Sequence, residues 1–178
     1  MVARPPEISR RAAIISGWSG NAETARSLFA SSDTDVRASA FAALVRRGAD
    51  TRAELAAALT DPAAQVRRRA LMALPSLWSS DLSAQVDLLD LLHDSDPVVL
   101  EVACFTAGEC PIADQSVIDD LGRDVVSIEQ RGEAVATRLA EIARDHPDPL
   151  CRESAVAALG SLGDPIGADA VLSACGDK

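Results

Sequence analysis

The residues that could hold a metal or act as nucleophile, acid or base are few in this sequence, and their spacing limits what they can do. Two histidines are present, His93 and His146. Neither has a partner at a metal-pair spacing, and no HExxH, GxSxG, P-loop or GxGxxG sequence occurs. His146 stands in the loop "DHPDP" between Asp145 and Asp148, where a loop role is favoured over that of a general base. Cys104, Cys110, Cys151 and Cys175 form no CxxC pair. They read as small buried hydrophobes in a reducing compartment rather than as a disulfide or metal site. The adjacent carboxylates Asp119 and Asp120 lie in an acidic run that needs no catalytic explanation. The expectation is a chain with no enzymatic activity, no metal and no cofactor.

The elements that position these residues recur. If Cys151 is position zero of one copy, the same register begins at Ile8, Val36, Val66 and Val99. Two places before zero stand Pro6, Thr34, Ala64, Pro97 and Pro149. Four places after it stand Ala12, Ala40, Ala70, Ala103 and Ala155. Eight places after it stand Ser16, Leu44, Leu74, Ala107 and Leu159, and Gly20, Gly48 and Gly163 close three copies at +12. Apolar residues at zero, +4, +5 and +8 form one face of an α-helix. The Asp of Asp61-Pro62, Asp96-Pro97 and Asp148-Pro149 can cap the first free N–H groups, and proline is tolerated in a first turn. Glycine after the last turn permits a left-handed C-cap. The shared alanine at +4 marks a place where a neighbouring helix leaves no room for a larger side chain.

These B helices are predicted over 8–18, 36–47, 66–78, 99–109 and 151–162, with a kink or early end at Pro75. Shorter amphipathic A segments lie between them: Ala22–Ala30, Arg52–Leu59, Leu82–Leu92, Glu133–Arg144 and Gly167–Ala174. A helix pair cannot bury its apolar face alone, so the pairs must stack. Zero positions are 28 (8 to 36), 30 (36 to 66), 33 (66 to 99) and 52 (99 to 151) residues apart, which places an insertion near 111–132. The expected organisation is one domain over 1–178. It comprises a half-repeat 4–20, repeats 21–48, 49–79 and 80–110, the insertion 111–132, a repeat 133–163 and a half-repeat 164–178. Val117, Ile118, Leu121, Val125 and Ile128 recur at helical spacing, predicting an extra helical segment within 114–130.

The skeleton "DPAAQVRRRALMAL" and the terminal "CRESAVAALGSLGDPIGADAVLSAC" resemble HEAT repeats, most closely the short class labelled phycobilisome-lyase HEAT-like. The resemblance implies an all-α, armadillo-type fold: a right-handed α-α superhelix, or HEAT-like solenoid, of about five helix pairs. It also implies that the Arg at +1 (Arg37, Arg67, Arg152) pairs with Asp residues in a ladder between repeats, interrupted where Ser9 and Leu100 replace it. HEAT-based hydroxylases hold iron with repeated His-Glu pairs, which are missing here. HEAT-like DNA glycosylases use a basic concave channel. Arg10, Arg11, Arg46, Arg47, Arg68 and Arg69, with Trp18 and Trp78, imitate one in part.

Composition sets further limits. Apolar residues make up 48% of the 178, but Phe and Trp are scarce and Tyr is absent, so the core must be Ala, Leu and Val. No apolar run is long enough to span a bilayer, and "MVARPPEISRR" contains no signal-peptide core, so a cytoplasmic, membrane-free protein is expected. The net charge is −10, divided unevenly: +4 over residues 1–70 and −14 over 71–178. Along a solenoid that division would persist as a dipole, and the acidic excess disfavours nucleic acid.

Opposite the buried arc of each B helix run positions +2, +6 and +10, which in a HEAT-like solenoid line the concave side. In copy order they are Arg10, Ile14, Trp18; Ala38, Ala42, Arg46; Arg68, Met72, Ser76; Glu101, Phe105, Glu109; and Glu153, Ala157, Ser161. An apolar centre with a charged rim is a common way to build a protein interface. The expected partner-binding residues are Arg10, Ile14, Trp18, Arg46, Arg68, Met72, Glu101, Phe105, Glu109 and Glu153. The expected function is a scaffold for another protein, the chain itself being a monomer or weak homodimer. Two alternatives stand beside it: an accessory or chaperone subunit of a lyase-like complex, and a HEAT-like DNA-binding or glycosylase-type protein.

Overall fold

The computed structural model describes residues 6–19, 22–49, 51–79, 82, 85–110, 128–163, 167–168 and 172. Among them the secondary structure is entirely helical and includes nine helices with described bounds: α1 (Pro6–Ser19), α2 (Ala22–Phe29), α3 (Thr34–Arg46), α4 (Arg52–Leu59), α5 (Ala64–Leu77), α6 (Leu88–Leu91), α7 (Pro97–Glu109), α8 (Ile128–Asp145) and α9 (Pro149–Leu162). Odd-numbered helices occupy the predicted B positions. Each begins two residues before its zero position, at the Pro, Thr or Ala of position −2. The capping chemistry accounts for that start. Asp33 accepts a hydrogen bond from the N–H of Val36 (3.0 Å), Asp96 from Val98 (3.0 Å) and Val99 (3.2 Å), and Asp148 from Leu150 (2.9 Å). Pro97 and Pro149 occupy the first turns, where a missing N–H costs nothing. At the far end of α9, Gly163 is left-handed (φ 65°) and its N–H bonds the Leu159 carbonyl at 3.1 Å. Helix α5 ends at Leu77, two residues past Pro75.

The chain divides into two compact units, Met1–Ala73 and Leu74–Lys178, with the division falling inside α5. In the first unit α1 and α2 both pack on α3. Its core is made of Val36, Ala40, Phe41, Ala43 and Leu44, with Ala13 and Ala25 from the neighbouring helices and Leu55 and Ala58 from α4. Phe29 and Phe41 meet at tilted rings, 6.1 Å between centroids. Outside the core, Arg26 on α2 bonds Glu54 on α4 at 2.8 Å.

In the second unit α9 packs on α7 and α8. Val99, Ala103 and Ala107 of α7, Cys151, Ala155 and Leu159 of α9, and Leu139 and Ile142 of α8 are buried. Positions zero, +4 and +8 are therefore interior in α3, α5, α7 and α9, as the register requires. Ala12, the +4 alanine of α1, is only half-buried.

Two A segments differ from expectation. Over Leu82–Leu92 the N–H groups of Gln85 and Val86 close one turn on the Leu82 carbonyl. Asp87 is then extended and caps a new start at Leu88, so that within Gln85–Leu92 helix α6 covers Leu88–Leu91. The other segment, Glu133–Arg144, is longer than expected. Helix α8 starts at Ile128 and takes five residues from the segment read as an insertion. Its spacing of Val135, Ala136, Leu139, Ile142 and Ala143, all buried, carries the amphipathic pattern of one long helix. The extra helical segment predicted within 114–130 lies almost wholly outside the described residues, as does most of Gly167–Ala174.

Candidate functional site

The first unit carries six of the ten proposed contact residues. Ile14, Trp18 and Met72 are 45%, 73% and 55% exposed, although they share helices with fully buried neighbours. Arg10, Arg46 and Arg68 are exposed too. The structure ties two of these residues together: the Arg46 guanidinium lies 4.8 Å from the centroid of the Trp18 ring. This cation–π contact orders both side chains and leaves the ring largely open to solvent. Nearby, Arg10 pairs with Asp35 at 3.5 Å, and Asp35 also accepts a hydrogen bond from Gln65 at 2.8 Å. Asp35 and Gln65 both occupy position −1, so α1, α3 and α5 are linked by a polar line along their starts.

The second unit carries Glu101, Phe105, Glu109 and Glu153. Phe105 is 57% exposed, Glu109 and Glu153 are exposed, and Glu101 is half-buried. Here position −1 holds Val98 and Leu150, both about half exposed. The sequence stripe of +2, +6 and +10 did not include them. They were legible only by comparison with Asp35 and Gln65 at the same register.

Arg37 forms the expected ion pair, and the +1 arginines of three copies also make a contact the sequence did not reveal. Arg37 binds Asp61 through two parallel bonds, Nε to Oδ2 at 2.8 Å and Nη2 to Oδ1 at 2.9 Å. That hydrogen bonding raises the arginine pKa. Burial by itself would raise the Asp61 carboxyl, but bonds from Arg37 and from the Ala63 N–H outweigh it, and its pKa falls below the ordinary value. The unforeseen contact is local. Nη1 of Arg37 donates to the carbonyls of Ser31 and Ser32, that of Arg67 to Asp61 and Pro62, and that of Arg152 to His146 and Pro147. Each arginine thus closes the turn five and six residues before it. Leu100, which replaces it in the fourth copy, is buried instead.

A second recurring contact involves His146. The side chains at −5, namely Ser31, Asp61, Asp94 and His146, each accept the N–H two residues later, at 3.2, 2.8, 2.9 and 3.2 Å. His146 is therefore a turn residue, its Nδ1 replacing a carboxylate or hydroxyl oxygen. His93 stands in the turn just after α6, with Nδ1 2.8 Å from the Leu89 carbonyl.

Cys104, Cys110 and Cys151 are buried and free. Burial pushes the Cys104 and Cys110 thiols up to about 12 and raises that of Cys151, whose Sγ donates to the Pro97 carbonyl at 3.2 Å. Thiols held this way are poor nucleophiles. Among the described residues no group of three or more His, Cys, Asp or Glu side chains is placed to hold a metal ion, and no helix is long and apolar enough to cross a membrane. No protein-family model matches the chain, and neither does any curated protein.

Proposed function

We propose that this chain is a non-catalytic protein-interaction scaffold, built as a HEAT-like α-solenoid, that binds its partner through the B-helix face. One observation carries the reading. At +6, between buried residues of the same helices, Ile14, Met72 and Phe105 each leave about half of a large apolar side chain in solvent. Exposed apolar groups recurring at one register position, rimmed by Arg10, Arg46 and Arg68 or by Glu101, Glu109 and Glu153, fit an interface with an apolar centre and a charged edge. The local side-chain chemistry favours binding over reaction, because both histidines and the described cysteines are engaged in turns, caps or core packing.

The test is capture of the principal native partner by the full chain and by two variants, Met72→Asp and Phe105→Asp. Both should lose capture while keeping helicity and melting temperature, since both sites are exposed. Undiminished capture by both variants would move the interface to the A helices or to residues 111–132.

A further inference from the structure

The proposed scaffold face is basic in the first unit, and from that charge we infer a partner class: the face spanning α1, α3 and α5 receives an acidic amphipathic helix. The inference rests on the scaffold reading and adds the sign and shape of the occupant.

The charge argument begins with what is already neutralised. Asp35, at the rim of this face, is taken by Arg10 and Gln65. Asp61 is taken by Arg37. Arg11, Arg47, Arg68 and Arg69 are exposed and have no ion-pair partner among the described residues. Arg46 is spent on Trp18, where the stacked guanidinium keeps its charge and its remaining N–H donors. An occupant carrying carboxylates would fill these donors, whereas a basic one would add to uncompensated positive charge.

The shape argument comes from the apolar row. Ile14 and Met72 lie at the same register position on α1 and α5, with Ala42 of α3 at that position between them. α1 and α3 pack on each other and the Gln65–Asp35 bond brings the start of α5 beside α3. With neighbouring helices about 8–10 Å apart, a row across the three runs roughly 16–20 Å. At 1.5 Å per residue, apolar residues at i, i+4, i+7 and i+11 of a helix cover about the same length along one stripe. Such a helix also carries its charges in two flanks, which matches arginines at +2/+3 on one side of the row and at +10/+11 on the other. Nucleic acid fits less well. The centre of the face is apolar where a phosphate backbone would lie, and one side of the Trp18 ring is already occupied.

The probes are two synthetic helical peptides with an identical leucine stripe, one with glutamate flanks and one with lysine flanks, plus a labelled DNA duplex. Each is titrated into the full chain by calorimetry at low and high salt. The glutamate peptide should bind at least about tenfold tighter than the lysine peptide, weaken as salt screens the pairing, and lose its advantage in Arg68→Glu combined with Arg69→Glu. Met72→Asp should abolish its binding. Equal affinity for both peptides, abolished by Met72→Asp, would overturn the inferred charge and leave the scaffold reading standing. Binding of neither peptide overturns the inference, and native-partner capture by the Phe105 variant then judges the scaffold reading separately. Tighter binding of the duplex, or occupation of the face by the Glu101–Phe105–Glu109 surface of a second copy in sedimentation, would also overturn it.

Discussion

Gly108 on α7 lies so close to Ala158 on α9 that a Cβ built on the glycine would stand 2.9 Å from the Ala158 Cα and 3.2 Å from its Cβ. The first unit repeats the relationship, where a Cβ on Gly17 would stand 3.1 Å from both the Cα and Cβ of Ala43. In repeat coordinates both are a glycine at +9 against an alanine at +7 of the next B helix. At both places a pair of small residues forms a seat where two B helices approach closely.

That seat gives substitutions of opposite sign. Gly108→Ala should force α7 and α9 apart and cost about 1–3 kcal/mol by overpacking. Gly160→Ala, also at +9 and helical but with nothing within 4 Å, should stabilise by about 0.5–1 kcal/mol through the lost flexibility of glycine. Urea denaturation of the two variants checks both, and a shared sign would remove the seat as the explanation.

The Arg37–Asp61 pair should make stability depend on acid. The native carboxyl titrates below its unfolded value, so its contribution is complete above about pH 4 and is lost as pH falls through the lower native pKa. Asp61→Asn should cost about 1–3 kcal/mol at neutral pH. The gap between wild type and variant should close as pH is lowered through that range, as followed by thermal melts.

His146 should be replaceable by the other residues that do its work. His146→Asp or His146→Ser can still accept the Asp148 N–H and should melt near wild type, whereas His146→Ala should lose about 1 kcal/mol. A neutral alanine variant would show that the Arg152 contacts alone hold the turn.

Alkylation provides a test of the core. With thiols pushed to about 12, Cys104 and Cys110 should stay unmodified by iodoacetamide at pH 8 in the native protein and react fully in denaturant. Peptide mass spectrometry separates the sites, and rapid native modification of either would place it outside the core.

Much of this was legible beforehand because it follows from period and local chemistry. The zero, +4 and +8 positions, the Asp caps at 96 and 148, and the exposure of Ile14, Met72 and Phe105 all depend on which way a residue points on one helix. Asp61, read as a third cap, instead accepts the Ala63 N–H in the turn ahead of α5 and binds Arg37. What was not legible depends on two helices or on backbone carbonyls. The alanine at +4 was read as a point of close approach, and in α3, α5, α7 and α9 it is buried. The sequence did not point to the further close approaches at Gly17 and Gly108, both at +9. Val45 and Pro75 stand at +9 in α3 and α5, so no sequence pattern emerged. The turn-closing role of Arg37, Arg67 and Arg152 was hidden for a different reason. A carbonyl acceptor exists at every residue, so the sequence cannot indicate which one is used. The cationic stack of Arg46 on Trp18 crosses from one copy to the next, 28 residues away, and only the structure brings the two together.

The reach of the +1 arginine also bears on the order in which the chain can assemble. Its bonds to the turn carbonyls span five and six residues, so a turn can close while the rest of the molecule is still unfolded. Its bond to Asp61 spans 24 residues and must wait for the next helix pair to arrive. Loop-closure entropy rises only with the logarithm of length, so that second step costs about 1 kcal/mol more than the first. In the first unit, where α1, α2 and α3 pack on one another, chain contacts are close in sequence. That unit should form early, from its turns outward, with Arg37 first as a local clasp and then as the tie to Asp61.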